Sequence, residues 1–520
     1  MGRVLTNNVN LSYTIETAVG VAGTSWFLLE PNTINNFGAT IATVARAPIS
    51  KNKQRRKGTI TDLDSAMEFE HDLTLSAFQD FIEGFAFATA VNGDMDLATS
   101  AVAAATDDYT VAAVSAAVGG KLNFSATEYA TLIHARGYSN AANNGLKQLA
   151  ADVATAGTSV AVTASLVDET PPANARIELA GLRLLDASTD FVFAYSSVLH
   201  QMTITEQGTI VGFDWADYGL TAGQLVHIGS PDTSGVVQNA LQQTTADDAY
   251  GYARVVSITA QVLTLDKLDT ALQYATPTSD ATVDLLFGKF IRNVSIDSSE
   301  YLERSFQFEA EYPNLETGGD SGFQYSLGNY CNTAAFNLPL TDKATVTFGF
   351  IGTDTENPVG PADRKTGASA ALSPTQTSAF NTTSDIARLR VNEVDETGLS
   401  TDFKSLTFTI NNNVSPEKVL GVLGAKYMNT GNFEIDIEAQ LLFTNSAVLE
   451  KIRDNETVTM DFIVKNDNGA IAVDVPSMTL GGGDREFPAN ESLLVNLTAQ
   501  AFGDAVLNTS VGISIFPIVP

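Results

Sequence analysis

Apolar and polar residues alternate one for one along much of the chain, most legibly in residues 431–452, GNFEIDIEAQLLFTNSAVLEKI. A strand there would place Phe433, Ile435, Ile437 and Ala439 on one face and Glu434, Asp436, Glu438 and Gln440 on the other. The device occurs again far upstream in residues 65–82, SAMEFEHDLTLSAFQDFI. Here Met67, Phe69, His71, Leu73 and Leu75 oppose Glu68, Glu70, Asp72 and Thr74. Further period-two runs are RSFQFEAEY (304–312), ATVTFGFIG (344–352), SLTFTI (405–410), TVTMDFIV (457–464) and SLLVNLTAQAF (492–502). Broken by Asn, Gly and Asp turns, they predict a mainly antiparallel β protein. Helical spacing is confined to short stretches, best at 76–87 and 446–454, each opening on a serine able to cap a first turn.

Both helices follow an acid-faced strand, so the order strand then helix is repeated. Residues 336–354, FNLPLTDKATVTFGFIGTD, also resemble the C-terminal VDVPSMTL and ESLLVNLTAQAFGDA segments: a strand with Pro, a turn, then a long alternating strand. The chain therefore reads as two copies of one β unit. The first copy is interrupted between about 88 and 287, where composition turns towards Ala, Thr and Gly and two stretches resemble each other. These predict two small β-barrel-like modules inserted in a loop, where added length costs little closure entropy. The expected division is 1–95 and 286–352 for the first unit, 96–200 and 201–285 for the modules, a linker at 353–384, and 385–520 for the second unit.

Composition narrows the chemistry. Acids outnumber bases 60 to 29, a formal charge of −31, which disfavours a phosphate-binding surface and suits either a soluble particle or a wall that repels polyanions. The one strong exception is KNKQRRKG, where Lys51, Lys53, Arg55, Arg56 and Lys57 crowd together. Cys331 is the only cysteine, excluding an internal disulfide and a Cys-rich zinc site. There is no apolar run of the roughly 18 residues a spanning helix needs, and the N-terminus lacks a signal-peptide core. No membrane association and synthesis in the cytoplasm are expected. Gly2 and Thr6 fit a myristoylation pattern, but no polybasic cluster adjoins them to make one acyl chain an anchor.

Signs of catalysis are weak. His71, His134, His200 and His227 are scattered without ligand spacing, and His71 falls on the apolar face of its strand. GGDSGF around Ser321 shares Gly-Asp-Ser-Gly with serine proteases, yet Phe323 replaces the next glycine and no histidine has a matching context. Paired acids could serve glycoside hydrolysis, but that needs a cleft with aromatic platforms, and neither Trp26 nor Trp215 lies near them. No enzyme activity, cofactor or metal is expected. Two competing readings are a secreted or surface carbohydrate-binding, adhesive β-sandwich, and a glycan hydrolase on a β scaffold.

The order of strand, short helix, long strands and linker resembles major tail tube proteins of long-tailed, siphovirus-like bacteriophages, of a double-length kind with an insertion. The resemblance is carried by ARAPISKNKQRRKGTITDLDSAMEFEHDLTLSAFQDFI, by the stretch from FNTTSDIARLRV to TVTMDFIV, and by DVPSMTLGGGDREFPANESLLVNLTAQAFGD. It implies tandem β-sandwich or half-barrel units, each with a helix, forming a virion structural protein of the tail. Two units per chain imply trimeric rings of pseudo-sixfold symmetry, stacked into a tube, with tail terminator, tape measure and tail tip proteins as partners. Under this resemblance Glu68, Glu70, Asp72, Glu434, Asp436 and Glu438 would line a lumen that DNA traverses without specific binding. Lys51, Lys53, Arg55, Arg56 and Lys57 would meet the adjoining ring. Gln307, Glu309 and Glu311 form the alternative acid row.

Overall fold

The computed structural model describes residues 4–518 apart from 50, 52, 76–77, 186, 232–236, 239–240, 245–246, 274–277, 280–281, 316–318, 373–376, 393–401, 445, 488 and 490–491. Gly2, Ser76 and Gly318, used in the sequence reading, lie outside the described residues. The protein is mainly β, with large antiparallel sheets. It divides into two compact units, one of residues 1–88, 296–382 and 404–440, the other of 89–295, 383–403 and 441–520.

The first unit contains β1 (Asn10–Ile15), β2 (Thr33–Arg46), β3 (Arg56–Asp72), α1 (Gln79–Ala86), β4 (Ser305–Tyr312), β5 (Gly322–Leu338) and β6 (Thr345–Gly352). To these it adds most of β7 (Phe403–Asn411) and of β8 (Glu434–Leu442). β1 pairs β4, β4 pairs β5, β5 pairs β6, β6 pairs β3 and β3 pairs β2, all antiparallel. α1 lies on this sheet over a cluster of phenylalanines: Phe81 is 5.2 Å from Phe306 and 5.8 Å from Phe69, ring centroid to centroid. Gly84 allows that approach, since a Cβ there would stand 2.8 Å from the Cys331 sulfur and 2.9 Å from Phe306. The helix stops at Phe87 in the left-handed region, and the buried Asn412 amide donates to the carbonyls of Phe85 and Cys331 at 3.0 Å each.

The second unit holds α2 (Ala447–Asp454), β9 (Thr457–Asn466), β10 (Gly469–Glu486), β11 (Leu494–Ala501) and β12 (Gly512–Phe516). β9 pairs Ile386–Asn392 on one side and β10 on the other, and β10 then pairs β11 and β12. Ser446 stands at the N-cap of α2 but makes no side-chain cap bond. The inserted segment belongs to this unit. Where the sequence suggested two modules, most of its described strands form one twelve-stranded sheet over one apolar core running from Met95 to Phe287, with two smaller sheets between 230 and 279. Phe191–Ser196 pairs Gln201–Glu206, and Arg176–Leu184 pairs Val283–Leu286, so strands of one expected module pair strands of the other.

Two expected alternations are absent. β4 is buried at every position from Ser305 to Ala310, and β9 from Val458 to Val464. In each case the face that would meet water is covered from a distant part of the chain. Over β4, Arg364 forks onto the Glu309 carboxylate (Nη2 to Oε1 2.6 Å) and the Tyr325 hydroxyl donates to it at 2.6 Å, so the linker is fastened down. Over β9 and β10 sits the insert, through Leu225 and Tyr252 against Ile463, Ala470, Ala472 and Phe516. Beside that apolar patch lies a buried ionic cluster. Lys267 reaches Asp474 at 2.5 Å and Asp461 at 3.9 Å, Arg254 bridges Asp266 and Asp474 at 2.7 and 3.1 Å, and Arg388 binds Asp461.

Candidate functional site

The registers of the first unit assemble one continuous polar face. Glu68, Glu70 and Asp72 on β3 stand opposite Gly349, Thr347 and Thr345 on β6. Those three stand opposite Thr333, Ala335 and Asn337 on β5, which in turn face Asn411, Thr409 and Thr407 on β7. On the other side of β3, Glu68 faces Asn36, Asp64 faces Thr40 and Asp62 faces Ala42 of β2. The opposite surface of the same strands is the core, with Met67, Phe69, Phe348, Phe336 and Phe408 buried. β8, hydrogen-bonded beside β7, continues the alternation with Ile435 and Ile437 buried and Glu434, Asp436 and Glu438 exposed.

Every candidate from the two acid rows thus projects away from the core of its own strand. Glu68, Glu70 and Asp72 are half-buried among their neighbours. Asn35 donates to Glu68 at 2.8 Å, and Lys343 pairs with Asp72 at 2.7 Å at the end of the row. Burial pushes the Asp72 carboxyl up, but the Asn32 amide and the Lys343 ammonium outweigh it and hold it below the usual range. The row also extends two steps further than the sequence reading took it, through Asp62 and Asp64. The alternation signalled them, with Leu63 buried between, but Ser65 on the core face and Ala66 on the polar face obscured it. Lys418, from the loop joining β7 to β8, contacts both at 2.6 Å, and holds the Asp62 carboxyl below its ordinary value by its hydrogen bond. In the alternative row on β4, Gln307 and Glu309 are buried, at 0% and 1% exposure, and cannot meet solvent in the chain.

The basic candidates occupy another place. β2 and β3 run on together beyond the core as a two-stranded ribbon exposed on both faces, with Ile41, Val44 and Ile60 more than half exposed. Lys51, Lys53, Arg55, Arg56 and Lys57 are all exposed at or beside its tip. Such a ribbon is marginal alone in water, which is a physical reason for it to be used against a neighbour. Among the described residues no group of three or more His, Cys, Asp or Glu is arranged to hold a metal ion. None of their helices is long and apolar enough to cross a membrane.

Compared with known proteins, residues 6–501 match the family model described as phage tail tube protein. No curated protein matches the chain.

Proposed function

The chain belongs to the phage tail tube protein family, a structural component of the virion tail that stacks on itself as a tube, and from that premise we propose that its acid-bearing polar face lines the channel. The carrying observation is the register. Five strands present Thr, Asn, Gly and Ala, and from Asp62 to Asp72 the charges that β3 adds to this face are acids, with Lys343 on Asp72 and Lys418 on Asp62 and Asp64 at its margins and Arg56 and Lys57 away at the ribbon tip. A polyanion gains affinity by releasing counterions to cationic side chains, and a wall of carboxylates offers none. DNA would slide through such a duct without adhering. Rings are trimeric in this reading, each chain giving two tube units, and the tail terminator, tape measure and tail tip proteins are the further partners. The role is structural, with no catalysis. The basic ribbon tip meets acids of the adjoining ring.

The test is to exchange Glu68, Glu70, Asp72, Glu434, Asp436 and Glu438 for Lys. Tubes should still form, because these side chains lie off the core, and genome release should slow, most at low salt where phosphate binding is strongest. Release at the unaltered rate from tubes carrying all the changes would overturn the assignment.

A further inference from the structure

The strand order of the first unit recurs in the second. β1, β4, β5 and β6 pair in sequence, as do Ile386–Asn392, β9, β10 and β11. Asp354–Thr355 flanks β5 as β12 flanks β10. The hairpin β2–β3 leads into α1, and β7–β8 leads into α2. One joint breaks the correspondence. β4 pairs β5 as far as Tyr330, and from Thr333 to Leu338 the same edge of β5 is taken by β7, from Asn411 to Leu406. On β10 the strand β9 ends its pairing at Thr479, and no described strand of the chain pairs that edge beyond it. The counterpart of β7 is β2, which among the described strands pairs only β3.

We propose that the free edge of β2 in one copy of the chain pairs antiparallel with the free edge of β10, over about residues 480–486, in a second copy, as β7 pairs β5 within the chain. The apolar positions argue the same way. Seated on β5, Leu406, Phe408 and Ile410 of β7 are at most 2% exposed. On β2 the residues facing buried Met67, Ser65 and Leu63 are Phe37, Ala39 and Ile41, and Ile41 is left 52% exposed. A strand beside β2 would cover that side, and it would remove two open edges that otherwise invite irregular association. The two edges differ, so the contact is head-to-tail and generates a ring or an open chain of copies according to its rotation. This pairing rests on the tube reading and assigns the strands that close the ring.

The test uses the full-length chain, whose only native cysteine, Cys331, is buried and silent. Cysteines placed singly at Ala39, Thr40 or Ile41 are combined with one at Asp484, Arg485 or Glu486, and assembled tubes are oxidised and run on denaturing gels. A ladder of linked chains from at least one double variant, with none from either single variant, is the expected result. Tubes that form yet give no ladder in any combination overturn the pairing and leave the tube reading standing. Linked dimers from single variants, which require like edges to meet, also overturn it. Absence of rings and tubes in the parent protein overturns both. As a second measurement, Ile41→Asp should leave the free chain folded and slow tube assembly about tenfold or more, because burying the carboxylate opposes the joint; assembly at the parent rate contradicts the proposal.

Discussion

Lys267 is completely buried, and two carboxylates, Asp474 and Asp461, depend on it. Burial pushes the Asp474 carboxyl up, but Lys267 and Arg254 outweigh it and hold it below its ordinary value. Removing one cation from such a group strands charge in low dielectric, so Lys267→Met should cost on the order of 3–5 kcal/mol in chemical denaturation. Lys418→Ala, which removes two solvent-facing pairs, should leave the denaturation midpoint unchanged. Two histidines set a pH limit. Burial depresses both His134 and His227 from 6.5 to about 4. Their folded values lie below the unfolded one, so their contribution is full above pH 6.5 and is lost as pH falls towards 4, roughly 3 kcal/mol each if wholly realised. Thermal unfolding followed from pH 7 to 4 should show that loss, and His227→Gln should flatten it; an identical pH profile in the variant would remove the histidine from the account.

Among the elements, the ribbon of β2 and β3 is the one whose substitution should separate folding from assembly. Arg55→Glu with Arg56→Glu should keep the melting temperature of the free chain and impair stacking, more at low salt where repulsion is less screened. Normal tube yield at low salt would refute the inter-ring role. The insert should behave oppositely. Deleting residues 96–284 removes Arg254 and Lys267 from Asp461 and Asp474 and uncovers Ile463 and Phe516, so the remainder should denature at much lower temperature or aggregate. A shortened chain melting like the parent would show that the buried cluster is dispensable. Elements were legible in the sequence where water supplied contrast: β3 and β8 alternate because one face of each is left open. β4 and β9 were legible as strands too, in RSFQFEAEY and TVTMDFIV, but the burial of their second faces was not, since Arg364 and Tyr252, 52 or more residues away, cover them. The insert's main sheet was hidden because its joining pairs, such as Leu182 with Leu285, are long-range and leave no local signature. The acid rows were legible for the same reason as their strands, whereas the free edge of β10 has no sequence signal and emerges only by comparison with β5.

At the scale of the whole molecule, a net charge of −31 is carried by a protein whose family builds a tail tube from copies of itself. Acids concentrated on one sheet face repel one another as well as DNA. That cost is bearable while the row stays hydrated, as Glu434, Asp436 and Glu438 are. A one-residue slip of β3 or β8 would bury the acids and expose Phe69 or Ile437, so the pleat ties the chemistry of the acid face to the stability of the fold. Ring order and wall chemistry are then read together from one object. An electron cryo-microscopy map of assembled tubes should place Glu68, Glu70 and Asp72 with Glu434, Asp436 and Glu438 on the channel surface of trimeric rings; a map with Glu68 and Glu434 on the outside of the tube would contradict the account.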